Sequence, residues 1–155
     1  MFNRSGAQAP AHNTKITMRD LQYKYNDGGR ARYFSKANVG DCGVRAFAIA
    51  SGLDYKEVYN MMRKIYGQSP RNGLPRKCFN KAAQMLGGVE WYATMQIGSG
   101  CTTHLRAGEI PMQGRIVCNV SRHYVAVIDG VVNDTYDCTR EGERCVYGYW
   151  VFNNK

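Results

Sequence analysis

The architecture of this chain follows from residues 38–46, NVGDCGVRA, in which a glycine-containing loop delivers Cys42 to an apolar segment. Residues 44–52, VRAFAIASG, carry small and apolar side chains on nearly every face, which is typical of a short helix buried at the centre of a domain. Gly52 provides a C-cap for that helix. The sequence therefore predicts that Cys42 lies at the N-terminus of a central, buried helix.

A cysteine in this position is suited to nucleophilic chemistry. The N-terminus of a helix carries a partial positive charge and unpaired N–H groups, and both favour a thiolate over a thiol. The thiolate is the nucleophile, and the same N–H groups can hold the oxyanion of a tetrahedral intermediate. The alternative interpretation is that Cys42 is a small buried side chain without chemistry, since cysteine is often buried.

A candidate general base follows in residues 121–127, SRHYVAV, where His123 begins a segment of strong strand formers. The end of a rigid strand is a suitable place for a catalytic histidine. Asp134 comes eleven residues later, after a hairpin turn at Asp129-Gly130, so the returning antiparallel strand brings it close to His123. A carboxylate there fixes the imidazole tautomer and stabilises its charged form.

Further residues complete the predicted site or compete for a place in it. Asp137 is the alternative carboxylate partner of the histidine, and Asn133 is a weaker third choice. The competing interpretation is that Asp134 and Asp137 only shape a turn. Asn38, in the loop before the nucleophile, is the candidate side-chain donor to the oxyanion, together with the backbone N–H of the cysteine. Arg45, on the first turn of a buried helix, requires a neighbouring carboxylate, for which Asp41 and Asp137 are the candidates.

The flanking segments predict helices in the first half of the chain and strands in the second. Asp54 and Glu57 form a capping box for a second helix, and a third helix is predicted over residues 76–86. Strands are predicted over residues 19–25, 91–95, 114–120, 124–128, 131–136 and 146–152. Helices packed on a C-terminal antiparallel sheet predict a single α+β domain over residues 16–155, preceded by a polar arm over residues 1–15.

The composition excludes a disordered or membrane-spanning chain. Of the 155 residues 44% are hydrophobic, more than a disordered chain carries, and no stretch approaches the roughly 20 apolar residues of a membrane span. The polar N-terminus lacks the apolar core of a secretory signal, so we expect a soluble protein that stays in the cytoplasm where it is made. A net charge of +9 favours an acidic protein surface as partner and, less directly, nucleic acid.

The six cysteines are expected to be mostly free thiols, because no signal peptide directs the chain to an oxidising compartment. The chain has no C-x-x-C pair and no H-x-x-x-H spacing, so no metal site is predicted. Cys101 and His104 are the nearest approach to a pair of metal ligands, and a simple loop position is the favoured interpretation of His104.

The order of these motifs, a cysteine that begins a helix and then a histidine that begins a strand, resembles the papain-like cysteine hydrolases. Residues 41–43 (DCG) with the helix after them, and residues 123–127 with Asp134, are similar to the bacteriocin-processing peptidases. Residues 42–46 (CGVRA) and the His-Tyr pair resemble the ovarian-tumour type deubiquitinases, which carry cysteine, two residues and then arginine. The resemblance implies a papain-like fold, no metal or cofactor, and hydrolysis of a peptide or isopeptide bond through the Cys-His-Asp set.

Two other comparisons at the sequence level widen the range of functions. Lys36 occupies the position, six residues before the cysteine, where papain-like enzymes carry glutamine, which leaves Asn38 as the nearest amide. Over most of its length the chain resembles small proteins of tailed phages and proteobacteria that have no assigned activity, chiefly in residues 27–30, 40–42 and 140–150. The alternative function is a non-catalytic papain-like module, such as a component of a phage particle or an antagonist of a host factor. Binding of nucleic acid through the basic surface is a third.

Overall fold

The computed structural model describes residues 20–36 and 39–155. In these ranges the protein is α+β, with three α-helices and a six-stranded sheet, as the sequence predicts. The helices are α1 (Cys42–Ser51), α2 (Tyr55–Tyr66) and α3 (Arg76–Leu86), and the strands are β1 (Gln22–Tyr25), β2 (Val89–Ala93), β3 (Arg115–Val120), β4 (His123–Ile128), β5 (Val131–Asp134) and β6 (Val146–Phe152). The polar arm predicted over residues 1–15 lies outside the described residues.

The helices begin and end where the local chemistry allows. α1 starts two residues earlier than predicted and ends at Gly52, which has a φ of 80° and donates its N–H to the carbonyl of Ala48. The carboxylate of Asp54 accepts a hydrogen bond from the N–H of Lys56, so the predicted N-cap of α2 is present. α3 has the bounds predicted for it. None of the described helices is long and apolar enough to cross a membrane.

The sheet is mixed, and this corrects the prediction of an antiparallel sheet. Its strand order is β1-β5-β4-β3-β6-β2, and all neighbouring strands are antiparallel except β1 and β5, which run parallel. β1 precedes all three α-helices in the chain, whereas β5 follows them. A long crossover of this kind is the condition for parallel pairing, because a tight hairpin joins only antiparallel strands.

The strands otherwise lie close to their predicted positions. β2 is displaced by two residues towards the N-terminus, β5 ends at Asp134 and not at residue 136, and β1 covers only the last four residues of its predicted range. β4 begins at His123 itself. The histidine therefore has the backbone of a strand residue, and the loop before it is a two-residue turn at Ser121-Arg122.

The apolar core lies on both faces of the sheet. On one face, Val44, Phe47 and Ala50 of α1 are fully buried among α2, α3 and the sheet. On the other face, apolar side chains of β3, β4 and β5 pack with Leu105 and Ile110 from the long segment between β2 and β3. Since both faces of β3 and β4 are covered, these strands carry nearly continuous apolar sequences instead of an alternating pattern.

The packing of α1 on β4 determines where the predicted site residues meet. Gly43, the second residue of α1, lies so close to the sheet that an added Cβ would come within 3.2 Å of the Leu74 side chain and 3.5 Å of the Tyr124 ring. The absence of a side chain there lets the helix N-terminus approach the first residues of β4. On the neighbouring strand, Asn133 pairs with Ala126, so Asp134 also lies near the start of β4.

Candidate active site

Cys42 is the first residue of α1 and lines a pocket of about 380 Å³. Its side chain is partly exposed, whereas the next residues of the helix are buried. His123 lines the same pocket, and its imidazole is close enough to lower the pKa of the Cys42 thiol. The structure thus brings the predicted nucleophile and the predicted base together at the end of α1.

The backbone N–H groups at the start of α1 are available to a ligand in this pocket. Asp41 occupies the N-cap position, but its carboxylate makes no capping hydrogen bond, because it is turned towards buried cationic and phenolic side chains. The first N–H groups of a helix have no acceptor within the helix. The predicted side-chain donor, Asn38, lies outside the described residues.

His123 is held from its other side by Asp134. The imidazole Nε2 lies 2.6 Å from Oδ2 of Asp134, and both side chains are buried. This contact leaves Nδ1 as the ring nitrogen for Cys42. Of the two carboxylates that the sequence offers as partners of the histidine, the structure selects Asp134. A buried carboxylate at this distance fixes the orientation of the ring and stabilises its protonated form.

Asp134 is itself fixed by two further donors. Its Oδ1 accepts hydrogen bonds from the backbone N–H of Thr135 at 2.7 Å and from Nη2 of Arg45 at 3.3 Å. Burial alone would raise the pKa of this carboxyl, but the hydrogen bond and charge of His123, the Thr135 N–H and Arg45 together lower it below the ordinary value. Asp134 is therefore an anion at neutral pH, and three donors hold its carboxylate in place.

The protonation of the Cys42–His123 pair is shifted towards the ionic form. Burial opposes ionisation of the thiol, but the hydrogen bond and charge of His123, the N–H of Tyr124 and the Arg45 guanidinium outweigh it and lower the pKa of Cys42. Burial also opposes protonation of the imidazole, yet hydrogen bonds to Asp134, Cys138 and Cys42 raise the pKa of His123 well above its ordinary value. These two shifts favour a thiolate–imidazolium pair at neutral pH.

A network of buried ion pairs lies next to the site and fixes Asp134. Arg45 bridges the two aspartates, since Nη1 donates to Oδ1 of Asp41 and Nη2 donates to Asp134. Asp41 is completely buried, and it also accepts hydrogen bonds from Arg30 at 3.2 Å and from the Tyr55 hydroxyl at 2.6 Å. Arg45 thus has two carboxylate partners, the predicted Asp41 and, in addition, Asp134. Two cations and two anions neutralise each other, which a buried charge requires.

The other predicted alternatives do not belong to this cluster. Asp137 is exposed, and its carboxylate accepts hydrogen bonds from the backbone N–H and the hydroxyl of Thr139 within a turn. The amide of Asn133 pairs with the side chain of Asn26 and the carbonyl of Val131. For Asp137 the turn-forming role foreseen as the alternative is the one observed.

Cys138 is a neighbour of the site that sequence reasoning missed. One ligand atom from each of His123, Asp134 and Cys138 lies within 4.8 Å of the others, and all three residues are buried. Burial raises the pKa of the Cys138 thiol. A cation between these groups would have to replace the short His123–Asp134 hydrogen bond and sit close to Arg45, so the arrangement fits a positioned histidine better than a metal centre. No sequence pattern marks Cys138 beyond its nearness to Asp134.

Basic residues dominate the wall of the pocket. Arg30, Arg45 and Arg122 line it, and no acidic side chain does so among the described residues. Arg30 and Arg45 are buried and paired with aspartates, whereas Arg122 is exposed at the hairpin tip next to His123. Arg122 has a φ of 56°, a backbone conformation that costs a non-glycine residue about 1–2 kcal/mol. A long cationic side chain therefore occupies a turn position that favours glycine or asparagine.

The cysteines are mostly free, as expected, with one exception. Cys42, Cys78, Cys118 and Cys138 are free thiols, whereas Cys101 and Cys145 form a disulfide across 44 residues of sequence. No local pattern predicts this pair, because the two cysteines meet only through the packing of the long segment before β3 against the start of β6. Cys101 also lies beside His104, the pair singled out from the sequence.

The chain matches no protein-family model, no curated protein and no solved structure. Its function must therefore be argued from the pocket itself. The pocket combines an ionisable thiol at a helix N-terminus, a histidine that lines the same pocket and lowers the pKa of that thiol, and a buried carboxylate behind the histidine. This set can attack an electrophilic carbon, transfer a proton to a leaving group and hold an oxyanion at backbone N–H groups.

Proposed function

We propose that this protein is a cysteine-dependent hydrolase of papain-like type that cleaves a peptide or isopeptide amide bond. Cys42 acts as the nucleophile, His123 as the general acid and base, and Asp134 as the residue that positions His123. One observation carries the proposal: Cys42 at the N-terminus of α1 and His123 line one pocket, and the far nitrogen of His123 is held at 2.6 Å by a buried carboxylate.

The reaction proceeds through a thioester. The Cys42 thiolate attacks the carbonyl carbon of the scissile amide, and the negative charge moves to the carbonyl oxygen. The imidazolium of His123 then gives its proton to the amide nitrogen, the carbon–nitrogen bond breaks, and the amine leaves. Neutral His123 next takes a proton from water, whose oxygen attacks the thioester carbon. The acid product leaves, and Cys42 and His123 return to the thiolate–imidazolium pair.

The papain-like assignment is supported by the order and placement of the site elements. The nucleophile begins a buried helix, the histidine begins a strand packed against that helix, and the carboxylate ends the next strand of the sheet. The backbone N–H groups at the start of α1 are suited to stabilise the oxyanion. Asn38 remains the proposed side-chain donor. The mixed sheet and the lysine at the position of the family's glutamine are this chain's departures from the pattern.

Basic residues around the pocket support a substrate that carries negative charge near the scissile bond. Arg122 is exposed beside His123, and the whole chain has a net charge of +9. Cationic walls raise the local concentration of anionic ligands and their rate of association. An acidic segment of a partner protein is therefore the proposed substrate class.

The test is the reactivity of Cys42 with iodoacetamide at neutral pH, followed by mass spectrometry in wild type and in His123→Ala. Cys78, Cys118 and Cys138 are buried, so their slow labelling says little, and the decisive comparison is Cys42 with and without the histidine. Without His123 the thiol pKa should return towards about 8.5, which lowers the rate at pH 7 by at least about ten-fold. His104→Ala, a histidine outside the pocket, is the matched control and should label like wild type.

The outcome also decides between the proposed hydrolase and the alternatives. If Cys42 alkylates at the same rate in His123→Ala and wild type, the pair is not activated, and the hydrolase is excluded in favour of a binding module. If the histidine is required, incubation with acidic fluorogenic peptides should then give turnover that Cys42→Ser abolishes.

A further inference from the structure

A second cluster of chemically active side chains lies away from the pocket, in the long segment between β2 and β3. Cys101 and His104 belong to this segment, and the start of β6 contributes Cys145 beside them. We infer that, once the Cys101–Cys145 disulfide is reduced, the two thiolates and the Nε2 of His104 bind one d10 metal ion, Zn²⁺ or Cu⁺. The proposed hydrolase function does not use this site.

Two distances in the cluster match the spacing of ligands around a tetrahedral ion, whereas the two cysteine sulfurs are bonded to each other and must separate on reduction. Zn²⁺ with bonds of about 2.3 Å to sulfur and about 2.05 Å to nitrogen holds a sulfur and a nitrogen about 3.6 Å apart, and two sulfurs about 3.8 Å apart. The Nε2 of His104 lies 3.7 Å from Sγ of Cys101. The thioether sulfur of Met95 lies 3.9 Å from Sγ of Cys145, where a fourth ligand would be placed.

His104 is oriented as metal-binding histidines are. Its Nδ1 lies 3.1 Å from Oε1 of Glu109, and its backbone N–H donates to the same carboxylate at 2.9 Å. Glu109 is held in turn by a hydrogen bond from Arg106. A carboxylate on one ring nitrogen sets the tautomer in which the other nitrogen, here Nε2, is free to bind a metal.

The backbone holds these ligands together independently of the disulfide. His104 and Cys145 are partners in an isolated antiparallel bridge. The N–H of Leu105 donates to the carbonyl of Arg144 at 2.8 Å, and the N–H of Val146 donates to the carbonyl of Thr103 at 2.8 Å. The Cα atoms of the two cysteines are 5.9 Å apart. Reduction therefore requires only that two side chains turn so that their sulfurs separate to the spacing of metal ligands.

The chemistry balances with a thiol reductant. Two molecules of a low-molecular-weight thiol reduce the disulfide, become a disulfide themselves, and leave Cys101 and Cys145 as thiols. Binding of the metal displaces the two thiol protons to solvent, because thiolates are the ligands. Cys101 is exposed and His104 and Cys145 are partly exposed, so both the reductant and the ion can reach the site.

Zn²⁺ and Cu⁺ differ in the fourth ligand that they prefer. Thiolates and imidazole suit both ions, whereas a thioether is a ligand that Cu⁺ prefers. Met95 is therefore expected to strengthen the binding of Cu⁺ and to be indifferent for Zn²⁺, whose fourth position can take water.

The experiment is a titration of the full chain with Zn²⁺ or Cu⁺ in competition with a chromophoric chelator, before and after reduction by a phosphine that is then removed. The oxidised protein retains Cys42, Cys138 and His123, so the difference between the two forms isolates the new site. We expect one additional metal ion per reduced chain. Glu109→Gln should weaken that binding by roughly 10–100-fold, and His104→Ala should abolish it. Met95→Leu should weaken only Cu⁺ binding.

Controls make the result decisive. Cys78→Ser removes a buried cysteine far along the chain from the cluster and should bind the additional ion normally, and circular dichroism of each variant verifies folding. Equal metal binding by the oxidised and reduced forms, or undiminished binding by folded His104→Ala, would overturn the proposal and leave Cys101–Cys145 as a structural cross-link. If Met95→Leu weakens neither ion, Met95 is not a ligand, and the proposed site consists of Cys101, Cys145 and His104 alone.

Discussion

Among the single residues, Arg45 connects the packing of the molecule to its chemistry. Its guanidinium lies between Asp41, four residues earlier on the same helical face, and Asp134, at the end of β5. Its charge lowers the pKa of Asp134, which holds His123, and it also lowers the pKa of Cys42. Without Arg45, Asp41 would keep Arg30 and Asp134 would keep His123 as cationic partners, so the expected loss of stability lies below the roughly 3–5 kcal/mol of a fully unpaired buried charge. One arginine thus supports both the fold and the charge state of the pocket.

Arg122 offers a test at the same scale that needs no knowledge of the substrate. Arg122→Gln should slow the alkylation of Cys42 by anionic iodoacetate about five-fold relative to neutral iodoacetamide, because one exposed charge at close range contributes about 1 kcal/mol in water. The measurement is the ratio of the two alkylation rates at low ionic strength.

The matched control for this test is Arg140→Gln. Arg140 is also exposed and also has a positive φ, of 53°, but it does not line the pocket. Its replacement should leave the ratio unchanged. An equal fall in both variants would mean that the net charge of the protein, and not Arg122, attracts the anion.

At the scale of elements, the contact between β6 and β2 depends on a glycine. Gly148 lies opposite Ala93, and an added Cβ would come within 2.2 Å of the Trp91 ring and 2.9 Å of the Tyr92 carbonyl. The Trp91 ring also packs on Trp150, with centroids 4.5 Å apart, and under the guanidinium of Arg76. The edge strand β2 is therefore attached through an indole that lies across the β6 backbone.

Gly148→Ala should lower the free energy of unfolding by about 1–3 kcal/mol, the usual cost of forcing extra atoms into a packed region. Denaturant unfolding of Gly148→Ala, Trp91→Ala and the double variant forms a cycle. We expect the double variant to lose less free energy of unfolding than the two single variants lose together, because removal of the indole makes room for the methyl group. Strict additivity would show that the indole is not what excludes a side chain at position 148.

Gly40→Ala is the reference for this cycle, because a Cβ added at Gly40 would lie 3.4 Å from its nearest neighbour, the carbonyl oxygen of Arg71, which is an ordinary van der Waals contact. It should change the stability by less than the variant at position 148. This comparison separates the steric effect from the general effect of replacing glycine by alanine on the unfolded chain.

For the whole molecule, the thiolate–imidazolium pair makes a distinctive contribution to stability as the pH changes. The unfolded chain has ordinary pKa values of about 6.5 for histidine and 8.5 for cysteine. Between these values the folded protein carries one proton on His123 and the unfolded chain carries one on Cys42, so the pair adds no pH dependence. Stability from the pair rises with pH below about 6.5 and falls with pH above about 8.5.

Cys42→Ser should make the free energy of unfolding depend on pH in the range where the pair of the wild type adds no pH dependence. Without the thiol, His123 still has a raised pKa because of Asp134, so its contribution is complete below about pH 6.5 and is lost as the pH rises through the folded pKa. We expect the free energy of unfolding of Cys42→Ser to decline between pH 7 and 8.5, by at most about 1.4 kcal/mol per pH unit, while wild type stays flat. Urea unfolding across this range is the measurement, and parallel curves for both proteins would contradict an ionic pair.

Much of the fold was predictable because its causes are local. Asp54 caps α2, Gly52 ends α1, and the strand formers of residues 124–128 and 146–152 lie in β4 and β6, since caps and periodicity act within a few residues. The cysteine and the histidine were recognisable for the same reason. Each stands at the first residue of a regular element, where backbone groups and the end of a rigid segment create chemistry that the sequence itself displays.

Local patterns in the chain thus predicted the α+β class, the three helices, and Cys42 and His123 as the pair of site residues. The packing of the elements was needed to show that Asp134 and not Asp137 holds the histidine, that Arg45 joins Asp41 to Asp134, and that β1 is parallel to β5. The same holds for the pairing of Cys101 with Cys145. The physical reason is that these contacts join residues far apart in the chain, whose meeting depends on how helices and strands pack and not on any local pattern.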